Sequence, residues 1–180
     1  MFQIILKYAF LIFLLPVNLT AETNPLYSFQ LESITGSKIS LSSFKGRVLL
    51  IVNIATQCGY TPQLKALQEL KKSYGPKGLV VLGIPSNDFG GQTPEGNSEV
   101  ENFCKENYGV SFPLTKKITV SGVRKHALFT LLTKKGGEIL WNFEKFLIDK
   151  KGNLIKRFRS GKNPLSKDII KSINNLTNEI

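Results

Sequence analysis

The chain is poor in the residues that most often do chemistry. Its 180 residues include two cysteines, Cys58 and Cys104, one histidine, His126, and one tryptophan, Trp141. Two cysteines are too few for a disulfide-built scaffold. The one histidine lies in a helical run with no signature around it, which argues against a cysteine-protease pairing, and the sequence has no zinc-ligand spacing. Nothing calls for a metal or an organic cofactor. Internal repeats, low-complexity tracts and long linkers are also absent, so residues 22–180 read as a single domain long enough to bury a substantial core.

Acidic residues are in deficit. Against 24 Lys and Arg stand 13 Asp and Glu, a formal net charge of +11. Most of the basic residues are lysines placed singly or in pairs, with no recognition-helix pattern or aromatic-basic strand beside them, so nucleic acid is not an expected partner. A solvated lysine surface is expected, able to attract an acidic reductant or to make peripheral contact with anionic lipid at a membrane. The first 21 residues differ from the rest: they carry one charge, Lys7, an apolar run from Tyr8 to Leu15, and a small-residue exit at Thr20-Ala21. This reads as a signal peptide, residues 1–21, cleaved after Ala21. Lys7 and Pro16 leave the run short of the roughly 20 residues that span a bilayer. The expectation is an exported protein, periplasmic in a Gram-negative bacterium and secreted elsewhere.

What is present in quantity is β-branched and aliphatic sequence. RVLLIVNIA (47–55) and GLVVLGI (78–84) are nearly continuous apolar runs, as for strands buried on both faces of a parallel sheet. Phe146–Ile148 and Leu154–Phe158 read as two further strands joined by the turn Asp149-Lys150-Lys151-Gly152. Helical spacing recurs in Leu64, Leu67, Leu70 and Tyr74, with Thr61 as expected N-cap, Pro62 at the first helical position and Gly75-Pro76 as the stop. Further helices are expected over 97–108, 124–132 and 165–176. The order predicts an α/β fold with a mixed central β-sheet flanked by helices.

Cys58 ends the first apolar run, three residues before Thr61, which stands where a CxxC motif would carry its second sulfur. A thiol at a strand-to-helix turn should lie near exposed amides and the positive end of the helix dipole, which favours thiolate over thiol. Such a sulfur could attack a peroxide oxygen and become sulfenic acid, provided hydrogen-bond donors steady the thiolate and the departing oxygen. The rival reading is a buried structural cysteine. Cys104, on the apolar stripe of its helix, reads by itself as a small core residue.

Four segments then become specific: VNIATQCGYTPQ, LGIPSNDFGGQTPEG, FCKENYGVSFP and WNFEKFLIDKKG, in this order. They resemble the glutathione peroxidase family, over about Tyr27 to Phe158. The resemblance implies a thioredoxin-like fold with Cys58 as peroxidatic residue in place of the selenocysteine of some relatives. Gln92, Trp141 and Asn142 match the other members of the family's catalytic tetrad, and their amide and indole N–H groups are donors without a charge to titrate. FCKENYGV matches the segment that carries the resolving cysteine in the thioredoxin-dependent branch. The implied function is therefore a thiol peroxidase acting on hydrogen peroxide and organic or lipid hydroperoxides, with Cys104 resolving Cys58 and a thioredoxin-like protein as reductant. Glutathione as reductant, or a peroxide sensor relaying oxidation to a client protein, are the alternatives. The chain departs from the pattern at Ser86, where many relatives have cysteine, and at Asp88, where they have glutamine. Eight residues separate Leu132 from Trp141, too few for the interface loop of tetrameric glutathione-using relatives, which implies a monomer with an open site.

Overall fold

The two long apolar runs lie side by side. In the computed structural model, which describes residues 24–178, β3 (Val48–Ile54) pairs in parallel with β4 (Leu79–Pro85), and every residue of both strands is buried. The expected signal peptide lies outside the described residues. β5 (Lys145–Ile148) runs antiparallel to β3, and β6 (Leu154–Phe158) runs antiparallel to β5, giving a four-stranded mixed sheet in the order β4-β3-β5-β6. Alternate residues of a strand face opposite sides. Val48, Leu50, Val52 and Ile54 accordingly meet Leu64, Leu67 and Leu70 of α1 (Gln63–Tyr74), Val100 and Cys104 of α2 (Asn97–Tyr108), and Ile169, Ile173 and Leu176 of α4 (Lys167–Asn178). Leu49 and Ile51 join the opposite cluster with Leu128, Phe129 and Leu132 of α3 (Ala127–Thr133). This is the expected thioredoxin-like arrangement, a mixed sheet between helices.

Three local features differ from the sequence expectation. A short antiparallel hairpin, β1 (Gln30–Glu32) with β2 (Lys38–Ser40), was not expected: three-residue strands are too short to show a period. Helix α3 starts at Ala127 rather than near Arg124, because His126 caps it by accepting the Leu128 N–H on Nδ1 at 3.2 Å. Thr61 does not cap α1. Pro62 holds the N-cap position, and the Thr61 hydroxyl turns back to accept the Cys58 N–H and donate to the Ala55 carbonyl, both at 3.0 Å. The hydroxyl is spent on closing the turn that follows β3.

On the far side of β4 the segment around Leu114 makes a parallel bridge to Gly83, with Gly83 N–H donating to Pro113 and Thr115 N–H to Gly83, each at 3.0 Å. A β-carbon on Gly83 would stand 2.5 Å from Leu114 Cδ2 and 3.0 Å from Phe112 Cε2. Gly83→Ala is therefore expected to cost about 1–3 kcal/mol through overpacking, read as a lower urea midpoint with an unchanged slope.

Candidate active site

Beyond Ile54 the chain leaves the sheet in a series of tight turns that set Cys58. Thr61 N–H donates to the Cys58 carbonyl at 2.9 Å and Gln63 N–H to that of Tyr60 at 2.9 Å, while the Thr61 hydroxyl braces both ends of the loop. The Cys58 side chain is buried, yet Gln57, Gly59 and Tyr60 around it are exposed. Its sulfur accepts the Tyr60 N–H at 3.4 Å. The donor that reaches the sulfur thus comes from the turn itself, ahead of the first amide of α1.

The second wall is the Phe89–Gln92 turn. Gly90 and Gly91 take φ values of 65° and 64°, a left-handed pair that only glycine adopts without strain. This bend sends Gln92 back toward β3, where its carbonyl accepts the Thr56 N–H at 3.2 Å and the Gln57 N–H at 2.9 Å. Gln92 Oε1 accepts from Asn142 Nδ2 at 2.9 Å. Trp141 rests its ring against Phe89, with centroids 5.9 Å apart. Neither Gln92 Nε2 nor Trp141 Nε1 has an acceptor among the described residues, so both N–H groups are free to donate. Asn142 Oδ1 and Thr93 Oγ1 are buried with no partner among the described residues, polar atoms of the kind that take up water or a ligand.

Gln92, Trp141 and Asn142 are therefore brought together, and the main chain of Gln92 ties them to the residue next to Cys58. Cys104 is placed differently. It is fully buried on α2, and both cysteines are free thiols. Burial, with the Glu95 charge adding to it, pushes the Cys104 thiol up to about 12. Ser86 is also fully buried, and its hydroxyl accepts the Asp88 N–H at 3.3 Å. The Asp88 carboxylate in turn accepts the Val120 and Ser121 amides, at 2.5 and 3.1 Å. These two departures from the family pattern are thus absorbed into loop structure.

Several supporting residues were not singled out from sequence. Asn53, fully buried in β3, donates from Nδ2 to the Trp141 carbonyl at 3.1 Å and accepts the Glu144 N–H at 2.9 Å. Glu95 accepts from Thr56 Oγ1 and Gln57 Nε2, both at 2.7 Å. Burial works to raise its carboxyl, but these hydrogen bonds, with Lys117 nearby, hold it below the usual carboxylate range. The signal for Asn53 was available: a polar residue inside otherwise apolar strand sequence.

The glutathione peroxidase family model matches residues 26–133. The chain belongs to the glutathione peroxidase family. It is 46% identical over 154 residues to the hydroperoxy fatty acid reductase gpx1 of Synechocystis, covering 79% of this chain and 91% of that protein. It is 41% identical over 152 residues to the glutathione peroxidase-like peroxiredoxin 2 of Saccharomyces cerevisiae, covering 81% and 94% of the two chains. Among solved structures, the crystal structure of Trgpx in its apo form superposes with a TM-score of 0.67 at 34% identity, over 86% of this chain and 96% of that one. Membership makes the chain a peroxidase, an oxidoreductase acting on peroxide.

One buried group should register in the pH dependence of folding stability. Lys145 is fully buried, and its ammonium donates to the Ser160 and Lys162 carbonyls at 3.0 and 2.7 Å; Ser160 O also accepts from Gln63 Nε2, in the first turn of α1, at 2.8 Å. Burial lowers Lys145 from 10.5 to about 7, with the Glu144 charge pulling the other way. Between those two values the unfolded chain holds the extra proton, so stability should rise as pH climbs from about 7 to 10.5. Below that window both states are protonated and the buried charge is carried at full cost. Lys145→Met should flatten this slope, measured as urea midpoints at several pH values across the window.

Proposed function

We propose that the chain is a two-cysteine thiol peroxidase in which Cys58 is the peroxidatic residue and Cys104 the resolving one. The observation that carries the reading is the pair of free N–H donors, Gln92 Nε2 and Trp141 Nε1, in the wall tied by the Gln92 carbonyl to the loop of Cys58. The Cys58 thiolate attacks one oxygen of the hydroperoxide, the O–O bond breaks, and the second oxygen leaves as alcohol or water after taking a proton. Cys58 is then a sulfenic acid. The free donors steady charge on the sulfur and on the leaving oxygen. Cys104 next attacks the sulfenic sulfur, water departs, and a disulfide forms. A thioredoxin-like dithiol restores both thiols by exchange, itself becoming a disulfide.

The substrate class follows the relatives' names: hydrogen peroxide and organic hydroperoxides, with fatty-acid hydroperoxides included because the Synechocystis relative is named for them. Export by residues 1–21, a monomeric state and lipid-surface contact through the basic exterior belong to the same proposal. Cys58→Ser is expected to abolish peroxide turnover, whereas Gln92→Ala and Trp141→Phe should each slow Cys58 oxidation on the order of a hundredfold. Turnover measured with thioredoxin and with glutathione side by side decides the reductant: faster turnover with the dithiol is expected, and saturation only by glutathione would overturn that part.

Resolution requires α2 to open. Cys104 is buried, its thiol pushed up to about 12, on a helix held at its C-terminal end by Gly109 N–H and Val110 N–H donating to the Lys105 and Cys104 carbonyls at 2.9 and 3.1 Å. A disulfide needs Cα atoms within about 7 Å. The helix has weak formers in Asn102 and Asn107 and ends at the left-handed Gly109, so local unwinding is the accessible route. Hydrogen exchange over 97–108 should show protection lost on oxidation, and kept in peroxide-treated Cys104→Ser. Equal protection in both redox states, with the Cys58–Cys104 disulfide confirmed by mass, would reject unwinding.

A further inference from the structure

The segment before Trp141 has no regular structure, yet two side chains fasten it at several points. Glu144 is fully buried, and its Oε1 accepts the N–H of Leu140, the residue before Trp141, at 2.8 Å. Its Oε2 takes Arg157 Nε at 2.6 Å, and Arg159 reaches both oxygens at 3.1 and 3.2 Å. Arg157 then extends the anchor along the segment: one terminal nitrogen donates to the Gly136 and Gly137 carbonyls at 3.0 and 2.5 Å, the other to Glu138 at 2.6 Å. Its guanidinium also lies over the Phe146 ring, 5.1 Å from the centroid. The side chain of Trp141 has little to hold it. It is 39% exposed, and among the described residues its one ring contact is with Phe89.

We propose that the Glu144–Arg157 pair is the positioning element for Trp141: it fixes the main chain on the N-terminal side of the indole while Asn53 fixes the Trp141 carbonyl. A buried carboxylate answered by a forked guanidinium holds direction as well as distance, since both partners are planar and their hydrogen bonds are charge-assisted. Phe143, two residues after Trp141, sits at φ 63°, a conformation that persists in a non-glycine residue only where its surroundings over-determine it. The buried Phe143 ring supplies part of that constraint, and Asn53 the rest: its carbonyl accepts the Phe143 N–H at 2.7 Å and its Oδ1 the Glu144 N–H at 2.9 Å. The indole can then be presented to a peroxide site while staying partly in solvent. This assignment rests on Trp141 being a donor to the reacting atoms, as proposed above.

The chain has a single tryptophan, so intrinsic fluorescence reports this one side chain. Glu144→Gln keeps the shape and removes the charge. Expected are emission moved to longer wavelength, easier quenching by acrylamide, and Cys58 oxidation by peroxide slowed roughly tenfold to a hundredfold. Reduction of the oxidised enzyme by dithiol should be unchanged, a split that general loosening of the fold would not produce. Should Glu144→Gln fail to fold, Arg157→Lys carries the same test, because it keeps the ion pair but gives up the fork onto the three carbonyls. Emission, quenching and oxidation all equal to the parent in a folded variant would overturn the proposal. So would shifted emission with unslowed oxidation while Trp141→Phe is slow. Shifted emission with normal oxidation in both Glu144→Gln and Trp141→Phe would leave the anchor standing and remove the donor role of Trp141 instead.

Discussion

The site depends on what the Gln92 carbonyl does. By accepting the Thr56 and Gln57 amides it continues the alignment of β3 and β4 past the end of their parallel ladder, where two diverging loops would otherwise separate. Its side chain then reaches across to Asn142 on the loop leading into β5. One residue therefore joins three stretches of chain distant in sequence. The left-handed Gly90-Gly91 pair that precedes it is the backbone condition for the join. The geometry of the proposed donors is thus inherited from sheet pairing rather than built separately on loops.

Two neighbouring buried charges support this arrangement from below. Glu144 and Lys145 stand at the entry to β5, where successive side chains turn to opposite faces of the sheet. Glu144 holds the segment before Trp141; Lys145 holds the Ser160–Lys162 turn, which also receives Gln63 at the start of α1. Each charge is satisfied chiefly by backbone groups and guanidinium, so what each one fastens is a loop. Replacing either by an apolar residue would relieve its desolvation and release the loop it holds.

The fold was legible to the degree that burial leaves a period. Val48–Ile54 and Leu79–Pro85 announced a two-sided sheet because every position in them is apolar or small enough to be buried, with Asn53 the exception. The β1–β2 hairpin was not legible, since its three-residue strands carry one buried residue, Leu31. Within the candidate site, Cys58, Gln92, Trp141 and Asn142 were singled out by pattern, and the fold draws the last three together. Their supports were not singled out, because a carboxylate such as Glu144 looks in sequence like any surface charge until the fold shows that Arg157 and the Leu140 amide converge on it. Thr61 shows the same limit at short range. A threonine followed by proline looks like a helix cap, and only the tightness of the turn after Ala55 diverts its hydroxyl elsewhere.

The deep placement of Cys104 has a consequence for dose rather than mechanism. In the proposed cycle, with the Cys104 thiol inside α2, the lifetime of an oxidised Cys58 would be set by the opening of that helix and not by how much peroxide is present. A second peroxide that arrives within that lifetime would carry the sulfur to sulfinic acid, from which thiols do not recover it. Under that mechanism the opening of one short helix would become a ceiling on exposure: below it the protein would cycle, and above it molecules would be retired.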